Sequence, residues 1–212
     1  MKRRGLLIVV SGPSGVGKGT ICKELFKSGD DIHLSVSVTT RSPREGEVPG
    51  KNYFFITHEE FLDMIENDEL LEYAKVYDNY YGTPKKFVMD QLDEGRDILL
   101  EIDIQGALQV KDKYPEGVFV FIVPPSMEEL RNRIVGRGTE TLEAINKRFS
   151  SAYDEIDLMS NYDYYIINDT VQNATRKLHS ILEAECYRIL PHNVTQLIQE
   201  LKEEKKHVEA TY

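Results

Sequence analysis

The chain has 212 residues, of which 41% are hydrophobic and 29% are charged, and this balance excludes a disordered or fibrous protein. Its net charge of −10 argues against a general binder of nucleic acids or of anionic membranes. The two cysteines, Cys22 and Cys186, offer no disulfide framework and suit a reducing compartment. The apolar run at residues 6–10 is too short for a signal peptide or a membrane span. We therefore expect one globular domain over residues 1–212, located in the cytoplasm.

Along most of the chain, predicted strands alternate with predicted helices. Continuous apolar runs predict strands that are buried on both faces, at residues 6–10, 98–102, 118–123 and 164–167. Helical periodicity follows or separates them, at residues 21–28, 105–113, 126–135 and 171–189. This alternation predicts an α/β fold, in which a parallel β-sheet is covered by helices.

Residues 35–95 have a different pattern. Short, partly alternating segments at 35–38, 53–56 and 70–77 are separated by Pro and Gly. Between them, Thr57 followed by Glu60 predicts the start of a short helix. We interpret this region as a small mixed α+β insertion in a core made of residues 1–34, 96–125 and 150–190.

Two helical segments complete the predicted organisation. Five basic residues stand out in this acidic chain: Arg131, Arg133, Arg137, Lys147 and Arg148. Gly136-Arg-Gly138 interrupts the helical pattern among them, which predicts a hinged helical lid over residues 126–149. An amphipathic C-terminal helix is predicted within 191–212.

A glycine-rich loop follows the first predicted strand and opens the first predicted helix, as the P-loop motif requires. Its backbone N–H groups and the helix N-terminus would hold phosphate oxygens, and Lys18 would reach the β- and γ-phosphates. This predicts a nucleoside triphosphate site, against the alternative of a glycine-rich turn without a ligand. The loop residues assigned to ATP are Gly12, Pro13, Ser14, Gly15, Val16, Gly17, Lys18, Gly19 and Thr20.

The residue after Lys18 departs from the usual motif. That position normally carries the Ser or Thr whose hydroxyl binds Mg²⁺, and here it is Gly19. Mg²⁺ is still the expected cofactor, held through water, through Thr20 or through Asp103, which follows the apolar strand at 98–102. Glu101 shares a strand face with Asp103, so it either faces the same cleft or pairs with a basic residue.

A P-loop alone leaves an ATPase, a GTPase and a small-molecule kinase open. The guanine-reading Asn-Lys-x-Asp of switch GTPases does not occur in the sequence. Arg41 and Arg44 lie three residues apart in a loop, so they could together hold one phosphate group through charge-assisted hydrogen bonds. Otherwise they would be two solvated arginines.

Further motifs, in a fixed order, identify the chain as similar to guanylate kinases from the P-loop to about residue 190. They are Ser37-Val-Thr-Thr-Arg-Ser-Pro-Arg44, Gly50-Lys-Asn-Tyr-Phe54, Asn79-Tyr-Tyr-Gly-Thr83, Leu100-Glu-Ile-Asp-Ile-Gln-Gly106, Gly136-Arg-Gly-Thr-Glu140 and Ile167-Asn-Asp169. The resemblance implies a P-loop kinase core whose insertion binds a nucleoside monophosphate. It also implies transfer of the γ-phosphate of ATP to GMP, and to dGMP, in purine nucleotide metabolism.

The resemblance also implies a role for each of several residues. The phosphate of GMP would be held by Arg41, Arg44, Tyr53 and Tyr81. Guanine would be lined by Ser37, Glu72, Thr83 and Asp103. Arg133, Arg137 and Arg148 would close on the triphosphate and, with Lys18 and Arg41, form the catalytic set. Asn168 would lie near the adenine.

The chemistry of guanine agrees with the role implied for Glu72. Guanine presents N–H donors at N1 and N2, both of which one carboxylate can accept, whereas adenine would place a lone pair against it. Hydroxyls of Ser37 and Thr83 can donate to O6. Without the resemblance, an ordinary surface acid is the favoured interpretation of Glu72. Ser37 would equally be a solvent-facing strand residue, and Thr83 could be a helix cap.

Two other functions remain open at this level. A kinase of ribose bisphosphates would share the P-loop and have no use for Ser37, Glu72 and Thr83. A guanylate-kinase-like binding module would dock phosphorylated peptides, although such modules characteristically lose the P-loop.

If the chain is a kinase of GMP, the acceptor phosphate is already anionic near neutral pH, so no general base is required. A homodimer is one of the assemblies open to the chain.

Overall fold

The computed structural model describes residues 3–27, 29, 31–76, 78–136, 142–189 and 191–209. Its elements, in chain order, are β1 (Leu7–Ser11), α1 (Lys18–Leu25), β2 (Ile32–Leu34), β3 (Val38–Thr39), β4 (Phe54–Phe55), α2 (His58–Glu66), β5 (Leu70–Val76), β6 (Asn79–Pro84), α3 (Lys85–Asp93), β7 (Asp97–Glu101), α4 (Ile104–Lys113), β8 (Val118–Val123), α5 (Met127–Val135), α6 (Leu142–Asp157), a 3₁₀ turn (Leu158–Asn161), β9 (Tyr164–Ile167), α7 (Val171–Glu185) and α8 (Pro191–Glu209).

The core is a parallel sheet with the strand order β2-β7-β1-β8-β9 in the described part of the chain. The four strands expected from apolar runs are confirmed to within one residue. The short edge strand β2 was not predicted, because its three residues are partly or fully exposed and give no apolar run. The prediction of an α/β fold with a parallel sheet is confirmed.

Both faces of the central strand β1 are buried, which explains its unbroken apolar sequence. Ile8 and Val10 pack with Ile21 of α1 and with residues of α5 and α7. Leu7 and Val9 point to the other face, where the side chains of α3 and α4 pack. Because β1 is covered on both sides, the loop that follows it is fixed at the carboxyl edge of the sheet.

A second sheet, of order β4-β3-β6-β5, lies within the region predicted as an insertion. Its helix α2 begins with the expected capping box, in which the Thr57 side chain accepts the N–H of Glu60 and the Glu60 carboxylate accepts the N–H of Thr57. The sequence missed β6, since Gly82 and Pro84 within it are typical turn residues. Proline is tolerated there because Pro84 is the last residue of the strand.

The segments predicted as lid and tail are helical where they are described. Helices α5 and α6 stand on either side of the predicted hinge, and α6 continues to Asp157, beyond the expected end of the lid. Arg137 and the rest of 137–141 lie outside the described residues. The C-terminal helix is present as α8. Among the described residues, no helix is both long and apolar enough to cross a membrane. The division into core, insertion and lid stays a prediction.

Candidate active site

A cavity of about 340 Å³ lies where the carboxyl edge of the core sheet faces the second sheet. It joins residues that the sequence assigned to two separate ligands. The functional side chains and loop residues lining it are Gly12, Ser14, Lys18, Ser37, Tyr53, Glu72, Tyr81, Glu101, Asp103 and Glu155. The cavity therefore connects the phosphate loop at one end with the proposed base-reading carboxylate at the other.

The glycine-rich loop has the backbone conformation that its sequence predicts. Gly12 has a φ of 144°, and a Cβ there would stand 2.4 Å from the carbonyl oxygen of Ile122. The Lys18 ammonium donates to the carbonyl of Gly12 at 2.6 Å, so it lies over the loop. Burial lowers the pKa of Lys18, and the carboxylates of Glu101 and Glu155 oppose that shift.

Two side chains donate hydrogen bonds to the backbone of the phosphate loop. The Asn168 amide is buried and donates to the carbonyl of Val16 at 2.7 Å, and Arg133 donates to the same carbonyl at 3.3 Å. Arg133 also donates to the carbonyl of Asn168 and pairs with Glu129. Both residues thus contact the phosphate loop, and their side chains brace its backbone.

The predicted arginine at position 148 also contacts the loop. Arg148 donates to the Ser14 hydroxyl at 2.6 Å, so α6 lies against the phosphate site. The same helix brings Glu155 into the cavity, where its carboxylate accepts the backbone N–H of Ser14 and burial raises its pKa. Thr20, one of the two metal candidates, is exposed in the first turn of α1.

Two further acidic side chains of the cavity lie at the end of β7, where Glu101 is the last residue of the strand and Asp103 follows it. Asp103 caps α4 by accepting the N–H of Gly106 at 2.8 Å. Glu101 faces the phosphate loop, because a Cβ on Gly19 would stand 3.0 Å from its Oε1. The space that a Ser or Thr would fill in the usual motif therefore borders the carboxylate of Glu101. Desolvation of the carboxylate where it faces the phosphate loop raises the pKa of Glu101, although part of the residue is exposed, and Lys18 opposes the shift.

At the far end of the cavity, Glu72 is buried with a side chain as its partner. Only 4% of the residue is exposed, and its Oε1 accepts the Thr83 hydroxyl at 2.6 Å. Burial raises the pKa of Glu72 to about 7, an effect that the Thr83 hydrogen bond opposes. The surface-acid reading of Glu72 is thus wrong. So is the reading of Thr83 as a helix cap, because Pro84 precedes α3. Ser37 lies in the wall of the same cavity.

The side wall contains the aromatic residues predicted to bind phosphate. The rings of Tyr53 and Tyr81 meet edge to face at 5.9 Å, and the Arg41 guanidinium lies 5.5 Å from the Tyr53 ring centre. Arg41 is bound through both terminal nitrogens to Glu47. Arg44 is exposed, and its backbone N–H donates to Glu47. The structure thus places Arg41 beside the tyrosines and Arg44 at the periphery.

The sequence did not single out two of these acids. Glu155 belongs to an acidic stretch of a helix, and nothing local distinguishes it until α6 docks on the loop. Glu47 lies three residues after Arg44, a spacing that could have indicated a partner for the arginines. Neither was assigned a role from its neighbours in the chain.

Comparisons of the sequence and of the fold with known proteins point to one family. The sequence model of the family described as guanylate kinase matches residues 4–185. A guanylate kinase of Caldanaerobacter subterraneus is 63% identical over 189 residues, which are 89% of this chain and 92% of that protein. A guanylate kinase of Clostridioides difficile is 56% identical, over 95% of this chain and 98% of that protein. The crystal structure of guanylate kinase from Anaplasma phagocytophilum, 39% identical, superposes with a TM-score of 0.72 and covers 87% of this chain and 88% of that one.

Proposed function

Because the chain belongs to the guanylate kinase family, we propose that its cavity holds GMP at the Glu72 end and the phosphates of ATP at the Lys18 end. The protein is an ATP-dependent phosphotransferase that acts on GMP, giving GDP and ADP. The observation that carries the assignment of residues is the single cavity that joins Lys18 to Glu72.

In this proposal Glu72 reads the base. Its ionised carboxylate accepts the N1–H and N2–H of guanine, and Ser37 donates to O6. Thr83 orients the carboxylate through its hydrogen bond to Oε1 and forms the back of the base site. Adenine is rejected because its N1 lone pair would face the carboxylate without a proton between them.

The phosphate of GMP is proposed to bind where the aromatic pair meets the arginines. Tyr53 and Tyr81 present hydroxyl donors, and Arg41 adds a charge beside them. Arg44 would reach the same phosphate from the loop. This placement directs a phosphate oxygen of GMP toward the loop that holds ATP.

Transfer then needs positioning and charge neutralisation more than covalent chemistry. The nucleophile is an anionic phosphate oxygen, so the protein supplies no general base. Lys18 and the loop N–H groups stabilise charge on the transferred group, and Arg148, already at Ser14, approaches the same group. Arg133 fixes the loop backbone, and closure of the lid with Arg137 would exclude water.

The donors around the cavity fit Mg²⁺ brought in with ATP. Carboxylate oxygens are the ligands that Mg²⁺ prefers, and Glu101 and Asp103 both line the cavity beside the phosphate loop. Glu101 and Asp103 are therefore proposed to hold the ion, directly or through water, with Thr20 as the weaker candidate. When bound, Mg²⁺ neutralises charge on the β- and γ-phosphates.

Three further expectations are part of this proposal. We propose dGMP as a second acceptor, because the proposed contacts involve the base and the phosphate. We propose the cytoplasm as its location, since the two cysteines are free thiols. A homodimer is proposed from the exposed apolar side chains near the C-terminus, which are Tyr187, Ile189, Ile198 and Leu201. Light scattering on the purified protein tests the last point.

A panel of acceptors tests the function. ADP release from ATP and Mg²⁺ is measured with GMP, dGMP, AMP, CMP, UMP or a ribose bisphosphate. We expect activity with the guanine nucleotides, and a loss of at least about 10²-fold in kcat/KM for GMP in Glu72→Gln. The matched control is Glu69→Gln, since Glu69 is exposed three residues away. Preferred turnover of the sugar phosphate, or full activity of Glu72→Gln, would overturn the assignment of the base site.

A further inference from the structure

The strand that carries Glu72 is bonded to a core helix on both sides of the carboxylate. The Gln109 side chain of α4 accepts the N–H of Tyr73 at 3.2 Å and donates to the carbonyl of Tyr73 at 2.9 Å. Lys113, one turn further along α4, donates to the carbonyl of Leu71 at 2.9 Å. The backbone at 71–73 is therefore fixed to α4, although it belongs to the second sheet.

The helix comes close to the carboxylate itself at a glycine. Gly106 is buried in the first turn of α4, and a Cβ there would stand 2.5 Å from Oε2 of Glu72. Real Cβ atoms do not approach an oxygen so closely, so either the carboxylate or the helix would have to move. Glu72 has little freedom to move, because Thr83 holds its Oε1 and α4 holds its backbone.

Glycine is a poor helix former, and its presence inside α4 therefore calls for a packing reason. Gly106 is not one of the glycines with a positive φ, so its backbone conformation gives no reason for a glycine at this position. What distinguishes the position is the Glu72 carboxylate, which occupies the space that a side chain at residue 106 would need.

We propose that Gly106 is a positioning residue for base specificity, and that Gln109 supports it from the same helix. Because Gly106 has no side chain, Oε2 of Glu72 can lie against α4. The two hydrogen bonds from Gln109 to Tyr73 hold strand β5 at the corresponding distance from the helix. This inference rests on the proposed reading of guanine by Glu72. It adds that the core helix, and not the second sheet alone, determines where that carboxylate stands.

Gly106→Ala is the direct test, because it adds one methyl group and keeps the N–H that Asp103 accepts. The readout is the ratio of kcat/KM for GMP to that for IMP, which lacks the N2 amino group. We expect this ratio to fall by about tenfold or more, through a raised KM for GMP, with the KM for ATP unchanged. The melting temperature is measured alongside, because the helix preference of alanine and the displacement of the buried carboxylate act on stability in opposite directions. Asp112→Ala, at an exposed position of α4, is the control and should leave the ratio unchanged.

A second background separates this inference from the function on which it rests. In Glu72→Ala the carboxylate is gone, so adding Gly106→Ala should cause no further loss of the GMP-to-IMP ratio. If Glu72→Ala alone keeps the wild-type ratio, the proposed role of Glu72 fails. If Glu72→Ala lowers the ratio while Gly106→Ala leaves it intact, the role of Gly106 is overturned and that of Glu72 stands.

Gln109→Leu supplies an independent test should Gly106→Ala fold poorly. It keeps the size of the side chain and removes both hydrogen bonds to Tyr73. We expect the same direction of change, a severalfold lower GMP-to-IMP ratio. An unchanged ratio would overturn the supporting role of Gln109.

Discussion

The Arg41 guanidinium donates two parallel hydrogen bonds to the Glu47 carboxylate, at 2.9 and 3.0 Å, and the same carboxylate accepts the backbone N–H of Arg44 at 2.7 Å. Glu47 thereby ties together the two arginines that the sequence assigned to the phosphate of GMP. The hydrogen bond from Arg41 lowers the pKa of Glu47, so the carboxylate is ionised at neutral pH. We interpret it as the residue that orients Arg41 beside Tyr53.

Glu47→Gln should therefore weaken binding of GMP. The amide keeps the size of the side chain, but its NH₂ group only donates, so one of the two guanidinium nitrogens loses its acceptor and Arg41 loses its fixed orientation. We expect the KM for GMP to rise about tenfold, with a smaller effect on kcat. Initial rates at saturating ATP provide the measurement, with the exposed Glu45→Gln as control. A lower KM would mean that Glu47 competes with the phosphate for Arg41.

The raised pKa of Glu72 predicts a pH dependence of GMP binding. Guanine needs the ionised carboxylate, and the pKa of about 7 means that the group becomes protonated as the pH falls below neutrality. The KM for GMP should rise toward about tenfold per pH unit below pH 7. GMP's own phosphate titrates near pH 6 in every variant. In Glu72→Gln the KM for GMP should keep the pH dependence that comes from the GMP phosphate and lose the part that comes from residue 72. Identical pH profiles of KM in wild type and Glu72→Gln would contradict the prediction.

The same pKa predicts how the ligand-free protein's stability changes with pH. Glu72 ordinarily titrates near 4.5, so between pH 4.5 and about 7 the folded state keeps a proton that the unfolded state has lost. This group's contribution to stability is present below pH 4.5 and is lost as the pH rises to 7, by about 3 kcal/mol in total. Denaturant unfolding of wild type and Glu72→Gln should show a difference that grows over this range. A constant difference would contradict the raised pKa.

The position of the Glu101 carboxylate beside Gly19 predicts that substitutions at these two residues change the Mg²⁺ concentration that the enzyme needs. If Glu101 holds Mg²⁺ in place of the missing hydroxyl, Glu101→Gln should raise the Mg²⁺ concentration for half-maximal activity by about tenfold. Gly19→Ser would place a hydroxyl group beside that carboxylate and should partly restore metal binding in Glu101→Gln. Titration of Mn²⁺ into the ATP complex, followed by its magnetic resonance signal, measures metal binding directly. Unchanged binding in Glu101→Gln would assign the ion to Asp103 or water.

Asn168 predicts an effect confined to the ATP side. Asn168→Ala removes the buried hydrogen bond to the Val16 carbonyl and leaves the longer one from Arg133. Such a loss costs about 1–3 kcal/mol of stability. The KM for ATP should rise about tenfold, and the KM for GMP should stay unchanged. The exposed Asn132→Ala is the control. A rise in the KM for GMP alone would contradict the bracing role.

The sequence by itself determined the features whose causes are local. The unbroken apolar runs predicted four of the core strands, because a strand covered on both faces leaves no polar position. The capping box at Thr57 and the glycine-rich loop before α1 were predictable because each depends on residues within a few positions of one another. The ordered motifs and their resemblance to guanylate kinases placed Lys18, Glu72 and the tyrosines in one function.

Only the tertiary structure decided which side chains share the cavity and in what state. Glu72 reads in the sequence as a surface acid, and pairing of β5 with β6 is what buries it against Thr83. Glu155 enters the site because α6 docks on the phosphate loop, and Gly106 lies against Glu72 because α4 packs on β5. These contacts join residues far apart in the chain, and burial, which follows from all the neighbours together, sets the pKa of Glu72. Neither these long-range contacts nor the burial of a single polar side chain such as Glu72 is encoded in a local pattern.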